Sequence, residues 1–493
     1  MSLSLDLLEL QSVIEGYARE FGLDFFETRF EMLDYRMLNQ VAAYDGFPTR
    51  YPHWRFGMEY ERLSKSYAYG LHRIYEMVIN TDPCYAYLLA SNLRVDQKLV
   101  MAHVYGHCDF FKNNLWFAHT NRKMLDEMAN HATRIRRHIE RQGIDKVEAF
   151  LDTCLSLDNL IDIHAAGIRR RPQPAIETAE PGAQAVRKLP AKEYMDQFIN
   201  PPEFLAEQQR KLEAAEQGRQ RFPESPERDV LLFLLENAPL AHWQHDILDI
   251  IREEAYYFAP QRQTKIMNEG WAVFAHTHIM TEKAMTPDEL IDYAEHHSGV
   301  VATSGGRLNP YKMGFELFRD LEDRWNRGAF GAEYEACHDY KTRKEWDKKL
   351  GLGRQKVFEV RRIYNDIGFI DEFLTEDFAR EQKMFTFAYN DESENYEIAS
   401  RKFQDIKRGL LFQLTNFGQP LIEVVDANHG NRGELYLMHR HNGVDLDVPF
   451  AEDTLRNLYA VWTRPVYIET VVEDEGPVLF SHGADGGTRK KLG

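Results

Sequence analysis

Apolar residues recur at three- and four-residue spacing along much of the chain up to about residue 400, the period of helices with one buried face. Residues 6–165 read as helical on this basis, with Ser12–Phe21 and Glu59–Ile79 as the plainest stretches. The pattern then breaks. Six prolines fall between Pro172 and Pro202, a density that no helix sustains, so 166–205 is predicted to be a proline-rich surface connection. Helical periodicity resumes at Asp229–Leu235 and continues through Trp243–Phe258, Trp271–Met280, Pro287–Val301, Tyr311–Trp325 and Lys356–Leu374. Thr286 before Pro287 suits an N-cap. Beyond residue 405 the segments shorten and fill with Val, Ile, Tyr and Phe. Leu410–Phe417, Leu421–Val425, Glu434–His441, Val466–Val472 and Val478–Phe480 read as strands, with Asn428–Gly433 as a hairpin turn and Glu452–Trp462 as a helix.

The predicted fold is therefore mainly α. Residues 1–165 and 206–400 together form one large helical core, 405–482 a small C-terminal α+β domain, and the glycine-rich 483–493 a mobile tail. A chain of 493 residues is long enough for this division. Its 60 basic against 78 acidic residues give a net charge of −18. That balance argues against a sequence-independent nucleic-acid binder and against docking on an anionic membrane. Four scattered cysteines, Cys84, Cys108, Cys154 and Cys337, form no CxxC pair, which points to a reducing compartment. No signal-peptide pattern and no run of 18 apolar residues is visible, so the expectation is a cytoplasmic protein with no membrane insertion.

Candidate chemistry begins at His103-Val104-Tyr105-Gly106-His107. Histidines at i and i+4 lie about 40° apart around a helix and can converge on one metal ion. Metallohydrolases of the HExxH type use this spacing for two zinc ligands, but Val104 stands where they carry the general-base Glu. Asn268-Glu269-Gly270-Trp271-Ala272 matches the segment that supplies the third, glutamate ligand in gluzincin-type peptidases. His103, His107 and Glu269 would complete a His₂Glu zinc site with one position open. His276, seven residues after Glu269, shares its helical face and is a candidate fourth ligand or a group behind the ligands. Glu254 or Glu253, on an apolar-flanked helix, would replace the missing base, unless they serve in ion pairs with Arg252 or another arginine. His297 and Tyr311 are candidates to orient substrate or hold an oxyanion. Asp109 either supports a ligand histidine or caps an element. Walker A, Rossmann, GxSxG and EF-hand patterns are all missing.

The run from His103 to Asn114, the segment from Arg252-Glu253-Glu254 through Asn268–Ala272, and Asn309-Pro310-Tyr311 closely resemble the SpoVR family of stage V sporulation protein R and its relatives. The resemblance spans about residues 5–475. It implies a setting in sporulation or in stationary-phase and stress responses. It also implies two partners, a PrkA-type serine kinase and a protein with a von Willebrand A-like domain; it implies no particular reaction. Three functions follow as expectations. The first is a zinc-dependent hydrolase of peptide or amide bonds built on a zincin-like core. The second is a non-catalytic adaptor in a complex with that kinase. The third, a carboxylate-bridged di-iron oxidase, is the weakest, because the sequence lacks a pair of Glu-x-x-His motifs.

Overall fold

The computed structural model describes residues 3–68, 76–168, 201, 204–207, 210, 222–301, 308–390 and 395–492. Most of the proline-rich connection lies outside the described residues. The chain is mainly helical, and it divides into two units. The first takes Met1–Ile144 and Tyr256–Gly418; the second takes Asp145–Ala255 and Gln419–Gly493.

Three helices form the centre of the first unit. The Arg94–Asn113 helix is buried almost throughout, from Val95 to Phe111. The Lys265–Ile279 helix packs against it, and the Pro310–Arg327 helix packs against Lys265–Ile279 in turn. A helix buried on all sides reads as nearly continuous apolar sequence, as the first does from Leu99 to Phe111 and the second from Gly270 to Ala275, around their polar residues. Their cluster draws in Leu10, Ile14, Tyr105, Trp271, Phe274, Phe318 and Phe369.

This unit also contains strands that helical periodicity does not show. β1 (Thr28–Leu33) runs parallel to β3 (Cys84–Leu89), with Thr28 opposite Cys84, and β2 (Glu76–Ile79) lies antiparallel to β3. The expected all-helical reading of 6–165 is thus corrected: the Glu59–Ile79 helix ends at Ala68, and Glu76–Ile79 is a strand. β3 is the middle strand and is buried at nearly every position. It therefore carries no two-residue alternation to distinguish it from a buried helix. β4 (Thr386–Asn390) and β5 (Asn395–Ser400) form a second, antiparallel pair. The expected Lys356–Leu374 helix is two helices, Gly353–Ile363 and Asp366–Phe373. Asn365 begins the second one by accepting from the Gly368 N–H at 3.0 Å. Leu410–Phe417, expected as a strand, is instead the end of a helix at Phe403–Leu414, followed by a short turn. Leu410, Leu411 and Leu414 lean on the first unit's core, and that packing decides the conformation.

In the second unit a five-stranded sheet has the order β10-β9-β8-β7-β6, from Gly486–Lys491, Gly476–Gly483, Val466–Val472, Glu434–His439 and Ile422–His429. β7 and β8 are parallel and the other pairs antiparallel. The Val448–Trp462 helix connects the parallel pair and packs on β8 and β9. The outer edge of β6 is met by Glu227, whose N–H and C=O bond Val424 at 2.9 and 2.8 Å. The glycine-rich end, expected to be mobile, pairs with β9 as β10 across a turn at Ala484-Asp485, with Gly486 at positive φ where β10 begins. No helix among the described residues is long and apolar enough to cross a membrane.

Candidate metal centre

The Lys265–Ile279 helix is fixed in place from several directions. Its first backbone N–H groups have no partner within the helix, and Thr264 supplies no side-chain cap. Asp366 performs that role from another helix, accepting from the N–H groups of Ile266 and Met267 at 2.8 and 2.9 Å. Burial pushes the Asp366 carboxyl up to about 7, against the pull of those donors. At the two crossings the backbones nearly touch. A Cβ on Gly106 would lie 2.8 Å from Ala272 Cα, and one on Gly270 would lie 2.4 Å from Gly314. The glycine between the two histidines and the glycine after Glu269 are therefore packing requirements. Between Gly270 and Ala272, the Trp271 indole N–H donates to Asp109 Oδ2 at 2.8 Å. Asp109 also accepts from the Asp24 N–H at 2.8 Å and faces Arg361 Nε at 3.2 Å. Burial raises its carboxyl to about 6 despite these partners. Asp109 thus anchors Trp271 and Arg361, and it neither supports a ligand histidine nor caps an element.

This framework brings His103, His107 and Glu269 together, their ligand atoms all within 4.8 Å of one another. Glu269 Oε2 lies 3.4 Å from His107 Nε2 and 3.8 Å from His103 Nε2. Tetrahedral zinc with bonds of about 2.0–2.1 Å has ligand–ligand edges of about 3.4 Å, so the trio fits such an ion with little adjustment. Among the described residues, no donor meets the buried Glu269 Oε2 at hydrogen-bonding geometry, an expensive state for a carboxylate oxygen unless a cation meets it. His107 Nδ1 is 2.9 Å from Asn268 Oδ1, which makes Nδ1 the donor and leaves the Nε2 lone pair for a ligand bond. The trio is not sealed: its side chains are 5%, 7% and 17% exposed, with Glu269 the most open.

His276 is buried behind His103, Nδ1 to Nδ1 at 2.9 Å, and is not in the trio's 4.8 Å group. Burial and the neighbouring histidines push its pKa well down. The Tyr311 ring stacks along His103 with centroids 6.4 Å apart, and the His297 ring stands edge-on to His276 at 5.8 Å. Asn309 begins the Pro310–Arg327 helix by accepting from the Tyr311 and Lys312 N–H groups, and this sets Tyr311 beside the site. Glu253 and Glu254 lie on the His242–Gln263 helix, in the part up to Ala255 that belongs to the second unit. Arg252 beside them pairs with Asp229, Nη2 to Oδ2, at 2.7 Å. Val104 is fully buried.

The SpoVR-like protein family model matches residues 3–419, and that of the SpoVR-like C-terminal domain matches 420–473. The chain belongs to the SpoVR-like family. It is 30% identical to the "Uncharacterized protein YcgB" of Escherichia coli (strain K12) over 510 aligned positions, covering 96% of this chain and 93% of that one. No solved structure matches it. Two residues that shape this centre were not singled out from the sequence. Asn268 stood inside the Asn-Glu-Gly segment, where a short polar side chain beside a ligand is a readable signal. Asp366 gave none, because only the fold brings it to the start of the Glu269 helix.

Proposed function

We propose that this chain is a metal-dependent hydrolase of peptide or amide bonds, with His103, His107 and Glu269 holding a divalent cation in a zincin-like arrangement. The observation that carries the reading is the convergence of two imidazole Nε2 atoms on a buried carboxylate oxygen that meets no donor among the described residues. The donor set suits zinc, and a bound ion there supplies Lewis acidity to a substrate carbonyl and to water. Tyr311, stacked on His103, is the side chain assigned to the developing oxyanion, and His297 is assigned to substrate orientation. The Arg94–Asn113 helix offers only Val104 at the position where such enzymes carry their base, and Glu253 and Glu254, the glutamates the sequence offers for that role, belong to the second unit and not to the ligand-bearing one. Family membership extends the proposal to sporulation or stationary-phase stress and to a complex with the PrkA-type kinase and the von Willebrand A-like protein.

The test is a screen of peptide and amide substrates with chelator-stripped and zinc-restored protein. Hydrolysis should require the metal and disappear in Glu269→Gln. Tyr311→Phe should slow it about 10²–10³-fold. Buried Val104 in the base position favours a second reading, the non-catalytic adaptor. Metal bound by four protein ligands, with no turnover of any substrate, would establish that reading instead.

A further inference from the structure

The Glu269 helix supplies more than a ligand. Asn268 and His276, on the same helix, each meet the Nδ1 of one of the two facing histidines. For His107 the partner is an amide oxygen, which only accepts, so the proton assignment is fixed. For His103 the partner is another imidazole, which can donate or accept at Nδ1. The local chemistry settles the choice. If His103 Nε2 is to present a lone pair beside Glu269, its single proton must sit on Nδ1. At 2.9 Å, His276 must then accept that proton at its own Nδ1, and an imidazole that accepts there carries its one hydrogen on Nε2. His276 Nδ1 is thereby occupied, and its Nε2–H is a donor with no lone pair for a metal. Among the described residues, neither His276 Nε2 nor Nδ1 of the neighbouring His297, both buried, has a hydrogen-bond partner.

We infer that His276 is a positioning residue and not a fourth ligand: it fixes His103 in the tautomer that leaves Nε2 for the ion, as Asn268 does for His107. This inference rests on the His₂Glu reading above. It makes the centre a three-ligand site with an open position, the form that catalytic zinc takes. Partners of this kind typically contribute about 10–100-fold to metal affinity.

The side-chain topology supplies a discriminating experiment. Asparagine places Oδ1 as many bonds from its backbone as histidine places Nδ1, whereas glutamine places Oε1 where Nε2 would be. Metal affinity is measured by competition with a chromophoric chelator for the full-length wild type, His276→Asn, His276→Gln and His276→Leu. Thermal unfolding of each metal-free protein confirms that it folds. Cobalt(II) absorption then reads the coordination number. His276→Asn should keep affinity within a few-fold of wild type with an unchanged cobalt spectrum. His276→Gln and His276→Leu should lose about 10–100-fold. Equal losses in all three variants, or a cobalt spectrum that changes in His276→Asn, would overturn the inference and make His276 a ligand. Wild-type protein that binds no metal would instead remove the site reading, and this inference with it. A variant that fails to unfold cooperatively is replaced by His276→Ser, which lacks an acceptor at the required reach and should lose affinity like leucine.

Discussion

At the scale of single residues, burial decides which polar groups matter. Asp109 and Asp366 are both almost inaccessible, both have raised pKa values, and both hold the helix that carries Glu269. Only Asp109 has a cation at contact distance. Asp366 relies on two backbone donors, and its carboxyl sits at about 7. In the unfolded chain it should titrate near about 3.9. Between those values the native state holds the proton more tightly. The stability Asp366 contributes is therefore fullest below about pH 4 and is lost as pH rises through about 7. Asp366→Asn removes this titration. Denaturant unfolding of both proteins should show the wild type losing ground to the variant as pH climbs across that window. A stability difference that does not change with pH would mean that Asp366 is not buried as described.

At the scale of elements, the site depends on helices that cross at backbone contact. A methyl group on Gly270 has no space against Gly314, so Gly270→Ala should force the Pro310–Arg327 helix outward. Overpacking of this kind costs about 1–3 kcal/mol, readable as a shift in the urea midpoint, and it should weaken metal binding by displacing Glu269. Wild-type stability in that variant would show that the crossing is looser than described. The helices were legible in the sequence because their apolar residues repeat every three or four positions. Val466–Val472 was legible as a strand because β-branched residues alternate there. β1 and β3 were not legible, since β3 is buried on both sides, and Leu410–Phe417 was misread because its leucines answer to a distant core. At the site, His103 and His107 stood out by their i, i+4 spacing and Glu269 by its Asn-Glu-Gly segment. Asp366 and Arg361 were not, since they reach the Glu269 helix and Asp109 from far along the chain.

At the scale of the whole molecule, the family boundary and the spatial boundary coincide near residue 419 but do not divide the same material. The C-terminal domain model takes only residues 420–473, whereas the second unit also includes Asp145–Ala255, with Glu227 extending the sheet at Val424. The candidate ligands all fall in the first unit, within the part matched by the larger family model. The account therefore rests on one property of that unit, that it holds a metal ion. Elemental analysis of the purified full-length protein, beside a His103→Ala/His107→Ala double variant, measures it directly. The account predicts about one zinc or comparable divalent ion per chain in the wild type and none in the variant, with both proteins folded. Metal-free wild type even after supplementation, or equal metal content in the two proteins, would contradict it.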